Sequence, residues 1–205
     1  MSASAPTPPG VALLERAIGY TLGSLHVVTP LALTRPTPCD AWDLRALLVH
    51  MDDSLAALHE AIGCGRVDLV AAPHAEPAAD PVASLRARAC HLLGVCTGAP
   101  PRDRIAVGDL HMPAGLMFAA GAVEIAVHGW DVARACGHPR PIPPALAAEL
   151  LALTPLLITD ADRPVRFAAA RTPSPSAGAE DRLLAFLGRG RATGESGGTR
   201  QGCAG

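Results

Sequence analysis

The sequence contains no lysine. All 17 basic residues among the 205 are arginines, they form no basic block, and the formal net charge is -2. A nucleic-acid-binding surface requires clustered positive charge, so we expect no nucleic-acid partner. The exclusive use of arginine, together with 20 glycines and 20 prolines, is typical of a protein encoded by a GC-rich bacterial genome. We therefore assign the arginines no function as a group.

Long apolar runs, a secretory signal and paired cysteines are also missing. The apolar stretches fall short of the ~20 residues that a membrane helix needs, because charged residues or prolines interrupt them. The first residues have no charged region followed by a long apolar core, so they do not resemble a secretory signal. The six cysteines show neither CxxC nor zinc-finger spacing, which indicates reduced, packed thiols. These absences predict a cytoplasmic protein with no membrane partner.

Apolar residues instead recur at intervals of three and four, which predicts helices. Asp43 is a suitable N-cap for a helix that Gly63 and Gly65 close, and Asp80-Pro81 is a typical start for the next. One extended segment is expected from Arg104 to Gly108, and no sheet. The predicted helices span residues 11–29, 44–62, 81–98, 114–136, 144–157 and 180–187.

The length of the chain suits one domain with a sizeable core better than two. Four long helices joined by loops predict an all-α protein, a four-helix bundle with additional short C-terminal helices. We expect the domain to cover residues 10–191, after a flexible N-terminus (1–9). A Gly-rich, polar tail (192–205) is expected to be disordered. Such a domain would be a monomer or a homodimer.

Glu124 and His128 lie one turn apart on the fourth long helix, within an apolar run. Residues four apart have Cβ atoms roughly 5–6 Å apart on one face, so both side chains can reach one metal ion. Burial of a carboxylate is costly unless it is paired, hydrogen-bonded or metal-bound. Such a pair is also a common surface motif. Asp131 could accept a hydrogen bond from a ligating histidine, or bond near the helix end.

Two protein ligands seldom make a catalytic zinc site, so a third is needed. His50 is the best candidate because it lies mid-helix at the margin of the apolar face of the second helix. It could equally be a satisfied histidine on a partly buried face. The weaker candidates lie near a helix end, further along a helix, in loops or without a partner motif: His26, His59, His74, His91 and His138.

Three motifs occur together: TPCDAWDL at 37–44 leading to His50, Glu124 with HGWDVA at 128–133, and DRLLAFLGR at 181–189. Over residues 10–191 they resemble the DinB-like (DinB/YfiT-like) proteins related to mycothiol-dependent maleylpyruvate isomerase. The resemblance implies a four-helix bundle in which a helix-two histidine and a Glu-x3-His motif bind a divalent metal. The matching residues are His50, Glu124 and His128, all intact. Zinc is the expected metal, with nickel, iron and manganese as alternatives.

The resemblance also implies chemistry, because members with known activity use mycothiol. A metal-coordinated thiol is deprotonated, and the thiolate is the nucleophile. The partners would then be this low-molecular-weight thiol and a small electrophilic substrate, in S-transfer or cis/trans isomerisation. Trp42 and His111 are candidates for the pocket, although turn packing is the simpler role for His111. No catalytic residue beyond the ligands is identified.

Two other functions remain open. A metal-bound water, whose pKa zinc lowers to about 7, could serve a hydrolase or tailoring enzyme without thiol. A non-catalytic metal-binding module is the other. A fourth protein ligand would favour this module, and Asp52 or Asp53, near His50, could provide one.

Overall fold

The computed structural model describes residues 9–39, 42–68, 78–98, 102–163 and 167–190. The predicted tail (192–205), most of the predicted N-terminus and His74 lie outside these residues. The helices are α1 (Pro9–Ser24), α2 (Leu44–Cys64), α3 (Pro81–Gly98), α4 (Ala114–Ala135), α5 (Pro144–Leu157) and α6 (Ala179–Phe186). The strands are β1 (Arg66–Val67), β2 (Arg104–Val107) and β3 (Leu110–Pro113).

Both ends of α2 follow from local chemistry. The Ala46 N–H donates a hydrogen bond of 2.8 Å to the Asp43 carboxylate, which caps the first turn. At the other end Gly65 has a φ of +72°, a left-handed conformation that glycine adopts without strain. The predicted start and end of this helix are therefore confirmed, and they fix where His50 lies.

The helices form a bundle around α4. α1 packs along α4, and α2 packs between α3 and α4. Contrary to the expectation that no apolar stretch is long enough to cross a membrane, α4 meets that test by length and composition, but most of it is buried inside the bundle. Its burial on nearly all sides accounts for its apolar sequence. The predicted all-α helix bundle is thus confirmed.

A small sheet departs from the prediction. β2 and β3 pair antiparallel, with Ile105 opposite Met112, and β1 pairs parallel to β2. Gly108, with a φ of +55°, allows the tight connection between β2 and β3. The expectation of no sheet was wrong because strands of two to four residues are too short to show an alternating pattern.

α1 and α4 approach closely at Gly129. Thr21 on α1 donates its hydroxyl to the Ile125 carbonyl of α4 at 2.7 Å. A Cβ atom at Gly129 would lie 3.1 Å from the Thr21 Cα atom and collide with its hydroxyl. Glycine is required here by the space between two helices that lie directly beside the candidate ligand His128.

We predict that Gly129→Ala lowers the free energy of unfolding by ~1–3 kcal/mol, because the helices must move apart. Gly19→Ala is the matched control: Gly19 is exposed within α1, with no atom within 4 Å of a new Cβ. That change should raise stability by ~0.5–1 kcal/mol. Urea unfolding of both variants measures the difference. Equal effects of the two substitutions would contradict the close approach.

Candidate metal centre

The three predicted ligands converge at the interface of α2 and α4. His50 Nε2 lies 2.5 Å from Glu124 Oε1, and His128 Nε2 lies 3.2 Å from the same oxygen. The donor atoms of all three side chains lie within 4.8 Å of one another. Helix spacing alone brings Glu124 and His128 together, whereas packing of two helices brings His50 to them.

The packing of neighbouring residues determines how far these side chains are exposed to solvent. Leu47 and Met51 on α2 are fully buried, which leaves His50 at the margin of the helix interface. Side-chain exposure is 36% for His50, 28% for Glu124 and 7% for His128. The cluster is therefore partly open to solvent, and His128 is its most buried member.

His128 is fixed from behind. Its Nδ1 lies 2.9 Å from a carboxylate oxygen of Asp131, which is completely buried. When Nδ1–H donates to this carboxylate, the Nε2 lone pair faces Glu124 and His50. The hydrogen bond thus selects the tautomer that a metal ligand needs.

Arg189 completes the arrangement from the C-terminal end of the described chain. Its Nε donates to Asp131 at 3.0 Å and its Nη2 at 2.8 Å. The chain of contacts therefore runs from Arg189 through Asp131 and His128 to Glu124 and His50. Arg189 ends the DRLLAFLGR motif, but the motif alone assigned it no role. The sequence feature that pointed to such a partner was Asp131 on an apolar helix, because a buried aspartate requires a cation as well as a hydrogen-bond donor.

The electrostatics of the cluster show how strongly a positive charge is favoured there. Burial by itself raises the pKa of the Glu124 carboxyl, but His128 and His50 outweigh it and hold this pKa below its usual range. Burial lowers the pKa of the His128 imidazole, but Glu124 and Asp131 prevail and raise it to about 9. The Glu124 and Asp131 carboxylates thus favour a positive charge between them, either a proton on the His128 imidazole or a metal ion.

The donor set fits a divalent metal. Two imidazole nitrogens and one carboxylate are typical of catalytic zinc sites that leave one position for water or substrate. The same set also suits non-haem iron. Glu124, His50 and His128 could hold such an ion with only small adjustments of their side chains, because their donor atoms already face one another.

A cavity of about 1040 Å³ opens above the cluster. It lies between α2, α4 and the C-terminal part of the chain, and its volume is at the upper end of the range for small-molecule sites. Trp42 lines it, with its ring centroid 4.3 Å from that of His50. This is where we expected Trp42.

His111 lies elsewhere. It is exposed on β3, opposite Ala106 on β2, and it is not among the residues that line the cavity. Strand pairing holds it at the sheet, where its carbonyl accepts a hydrogen bond of 2.6 Å from Arg104. His111 was only a candidate for the pocket, with packing in a turn as the simpler role, and its segment forms a strand rather than a free loop.

Asp52 and Asp53 do not join the cluster. The Asp52 carboxylate lies 2.9 Å from the Arg88 guanidinium on α3, so it turns away from His50. Asp53 is exposed on the surface of α2. Neither aspartate is among the described residues whose donor atoms converge. The geometry thus gives no support to a fourth ligand from either aspartate.

We predict that Arg189→Ala lowers the free energy of unfolding of the metal-free protein by ~3–5 kcal/mol, since it leaves the Asp131 charge buried. Arg16→Ala is the control, because Arg16 forms an exposed ion pair with Glu149 that is worth ~0–1 kcal/mol. Urea unfolding in the presence of a chelator measures both. Similar losses would show that the Arg189–Asp131 pair is no more important than a surface pair.

Comparison of the sequence with known proteins identifies its family. The model of the mycothiol maleylpyruvate isomerase N-terminal domain matches residues 14–133, a span that includes all three converging side chains. The chain is also similar to two uncharacterized proteins of Mycobacterium tuberculosis, one from strain CDC 1551 / Oshkosh and one from strain ATCC 25618 / H37Rv. Each is 29% identical over 162 residues, which covers 75% of this chain and 83% of the relative. No solved structure matches the chain significantly. Because the family match covers more than half of the chain, the protein belongs to the mycothiol maleylpyruvate isomerase N-terminal domain family.

Proposed function

We propose that the protein binds a divalent metal, zinc in the first place, through His50, Glu124 and His128. With this metal it would activate a low-molecular-weight thiol such as mycothiol for reaction with a small electrophile. The observation that carries the proposal is the convergence of three ligand atoms at the floor of a large cavity. The mycothiol-related family supports the choice of thiol.

A divalent cation held there would lower the pKa of a thiol that binds it, so that the nucleophilic thiolate is available at neutral pH. The protein's own residues orient the ligand side chains. Asp131 holds the His128 ring with Nε2 facing inward, and Trp42 packs against the His50 ring. The cavity leaves room for a thiol and a second reactant beside these side chains.

Two reactions fit this arrangement. In isomerisation the thiol adds across a polarised C=C bond: an S–C bond forms and the proton goes to the neighbouring carbon. Rotation about the resulting single bond and the reverse elimination then regenerate the thiol. In S-transfer the S–C bond stays, and the leaving group departs with its electron pair while the thiol proton passes to solvent. Both reactions need the same site.

We further propose that residues 10–191 act as one domain. The C-terminal part supplies Arg189 to the buried Asp131 and also lines the cavity. α6 packs against α5, which itself packs against α4. The residues after the family match therefore belong to the same functional unit as those within it.

The metal is tested first. His50→Ala and Glu124→Ala should each weaken zinc binding by more than ~100-fold, since even the loss of a partner that orients a ligand costs about 10- to 100-fold. The control is His59→Ala: His59 lies on the same helix as His50 but stacks on His91, away from the cluster. Chelator competition gives the affinities. Equal zinc affinity in all variants would rule out this metal site.

The thiol is tested on the cobalt-substituted protein. Addition of mycothiol should produce a thiolate-to-cobalt absorption band that is absent from the Glu124→Ala variant. Absence of any band at millimolar mycothiol would exclude thiol activation. Substrate turnover without thiol would then point to the water-based alternative.

Asp131 is tested by its effect on the metal. Asp131→Asn should lower zinc affinity by ~10- to 100-fold, because the amide holds the His128 N–H less strongly than a carboxylate does. Glu149→Gln removes a carboxylate from the surface pair with Arg16 and should leave the affinity unchanged. An unaltered affinity in Asp131→Asn would show that Asp131 only stabilises the fold.

A further inference from the structure

The cavity above the candidate metal centre continues as a groove between α2 and α4. Three levels of paired residues line it, in order from the candidate metal centre outward: His50 beside His128, Ser54 beside Glu124, and Leu58 beside Gly121. Successive levels lie four residues apart on α2, which is roughly 6 Å along a helix. We call this wall the α2–α4 groove. A ligand that lies along it contacts the three levels in turn.

The second level carries a hydroxyl group that is only weakly bonded. Ser54 Oγ lies 3.4 Å from Glu124 Oε1, whereas an ordinary O–H···O hydrogen bond measures about 2.5–3.0 Å. The same carboxylate oxygen also contacts the nitrogens of His50 and His128. Among the described residues that line the cavity, Ser54 has the only hydroxyl group. Its O–H can therefore turn to an acceptor oxygen of a ligand at little cost.

The third level is apolar and depends on a glycine. A Cβ atom at Gly121 would lie 2.6 Å from Leu58 Cδ1, so the Leu58 side chain rests directly on the α4 backbone. Met117, one turn away on α4, lines the same cavity. Because Leu58 lies back against Gly121, the space in front of it stays open to a ligand. Burial of an apolar group against these side chains is favourable.

We infer that the substrate lies along the α2–α4 groove, with an acceptor oxygen at Ser54 and a bulky apolar group against Leu58 and Met117. The inference rests on the proposed function and specifies its substrate class, a carbonyl compound with an aryl or branched alkyl group beyond the carbonyl. It makes Ser54 a catalytic residue. Gly121 determines specificity, because it sets the position of Leu58.

The role of Ser54 follows from the charge that develops during thiol addition. As the S–C bond forms, the electron pair of the C=C bond moves onto the carbonyl oxygen. The Ser54 O–H donates a hydrogen bond to this oxygen and stabilises its negative charge. Transfer of the thiol proton to the carbon next to the carbonyl then restores the C=O bond. The hydroxyl is unchanged at the end of the reaction.

Two matched probes test Ser54 in the chelator-treated protein without thiol: 2-acetylnaphthalene and 2-isopropenylnaphthalene, in which a CH2 group replaces the carbonyl oxygen. Ser54→Ala should weaken binding of the ketone by ~3- to 10-fold, because only the ketone accepts a hydrogen bond. Binding of the hydrocarbon should not change. Ser84→Ala is the control, since Ser84 lies on α3 and does not line the cavity. Equilibrium dialysis gives the affinities.

Infrared spectra of the bound ketone add a direct readout of the hydrogen bond. The C=O stretch should lie at a lower frequency in the wild-type protein than in Ser54→Ala, and Ser54→Thr should restore it. Unaltered ketone binding in Ser54→Ala, or equal weakening of both probes, would overturn the role of Ser54. Because neither metal nor thiol is present, failure of the proposed function cannot produce these results.

Gly121 is tested with the same ketone. Gly121→Ala should weaken its binding at least ~10-fold, because the packed helix interface leaves Leu58 only the cavity to move into. Gly115→Ala is the matched control on the same helix, exposed and with no atom within 4 Å of a new Cβ. Addition of Leu58→Ala to Gly121→Ala should restore binding. Thermal unfolding confirms that each variant is folded. Unaltered binding in Gly121→Ala would remove this level from the site.

The zinc-loaded protein with mycothiol separates the two roles. The substrates are 1-(2-naphthyl)but-2-en-1-one and pent-3-en-2-one, which share the reacting C=C–C=O group and differ in the group beyond it. Ser54→Ala should lower kcat at least ~10-fold for both, whereas Gly121→Ala should lower kcat/KM only for the naphthyl ketone. Equal losses for both ketones in Gly121→Ala would contradict the inference. Absence of turnover of both by the wild-type protein would count against the proposed function alone, because the binding experiments need neither metal nor thiol.

Discussion

The buried acidic groups of α4 are the constraint on which the rest of the structure depends. Asp131 is completely buried and Glu124 mostly so, on a helix that is apolar on nearly every side. A carboxylate in such a place must be compensated, at a cost of several kcal/mol if it is not. His128 lies between the two carboxylates and contacts both, Asp131 through Nδ1 and Glu124 through Nε2. His50 contacts Glu124 at one end of this row, and Arg189 pairs with Asp131 at the other.

This compensation draws together parts of the chain that are far apart in sequence. His50 arrives on α2, and Arg189 arrives after α6, near the end of the described residues. The same contacts that stabilise the interior therefore assemble the candidate metal centre and close the cavity above it. Fold and site are physically coupled here, because loss of Arg189 would leave the Asp131 charge buried without its cation and would weaken the hold of Asp131 on His128. A change in the C-terminal part would thus be felt at the metal ligands.

The parts of the fold that the sequence predicted are those governed by neighbours within a turn or two. The start of α2 follows from the Asp43 cap, and its end follows from the left-handed Gly65. The sheet was missed because β1 has two residues and pairs with a strand some forty residues later, a contact that no local pattern records. No local pattern could locate His111 for the same reason, since its position depends on pairing with β2.

For the site, the sequence by itself determined the spacing of Glu124 and His128, the burial of their helix and the resemblance that selects His50. The tertiary structure decided where the remaining charges go. It turns Asp52 toward Arg88 and away from the cluster, joins Arg189 to Asp131, and brings Phe167 to the lining of the cavity that also contains the candidate ligands. The physical reason is range. Helix periods and caps depend on residues a few positions apart, whereas ion pairs and cavity walls depend on which distant segments pack together.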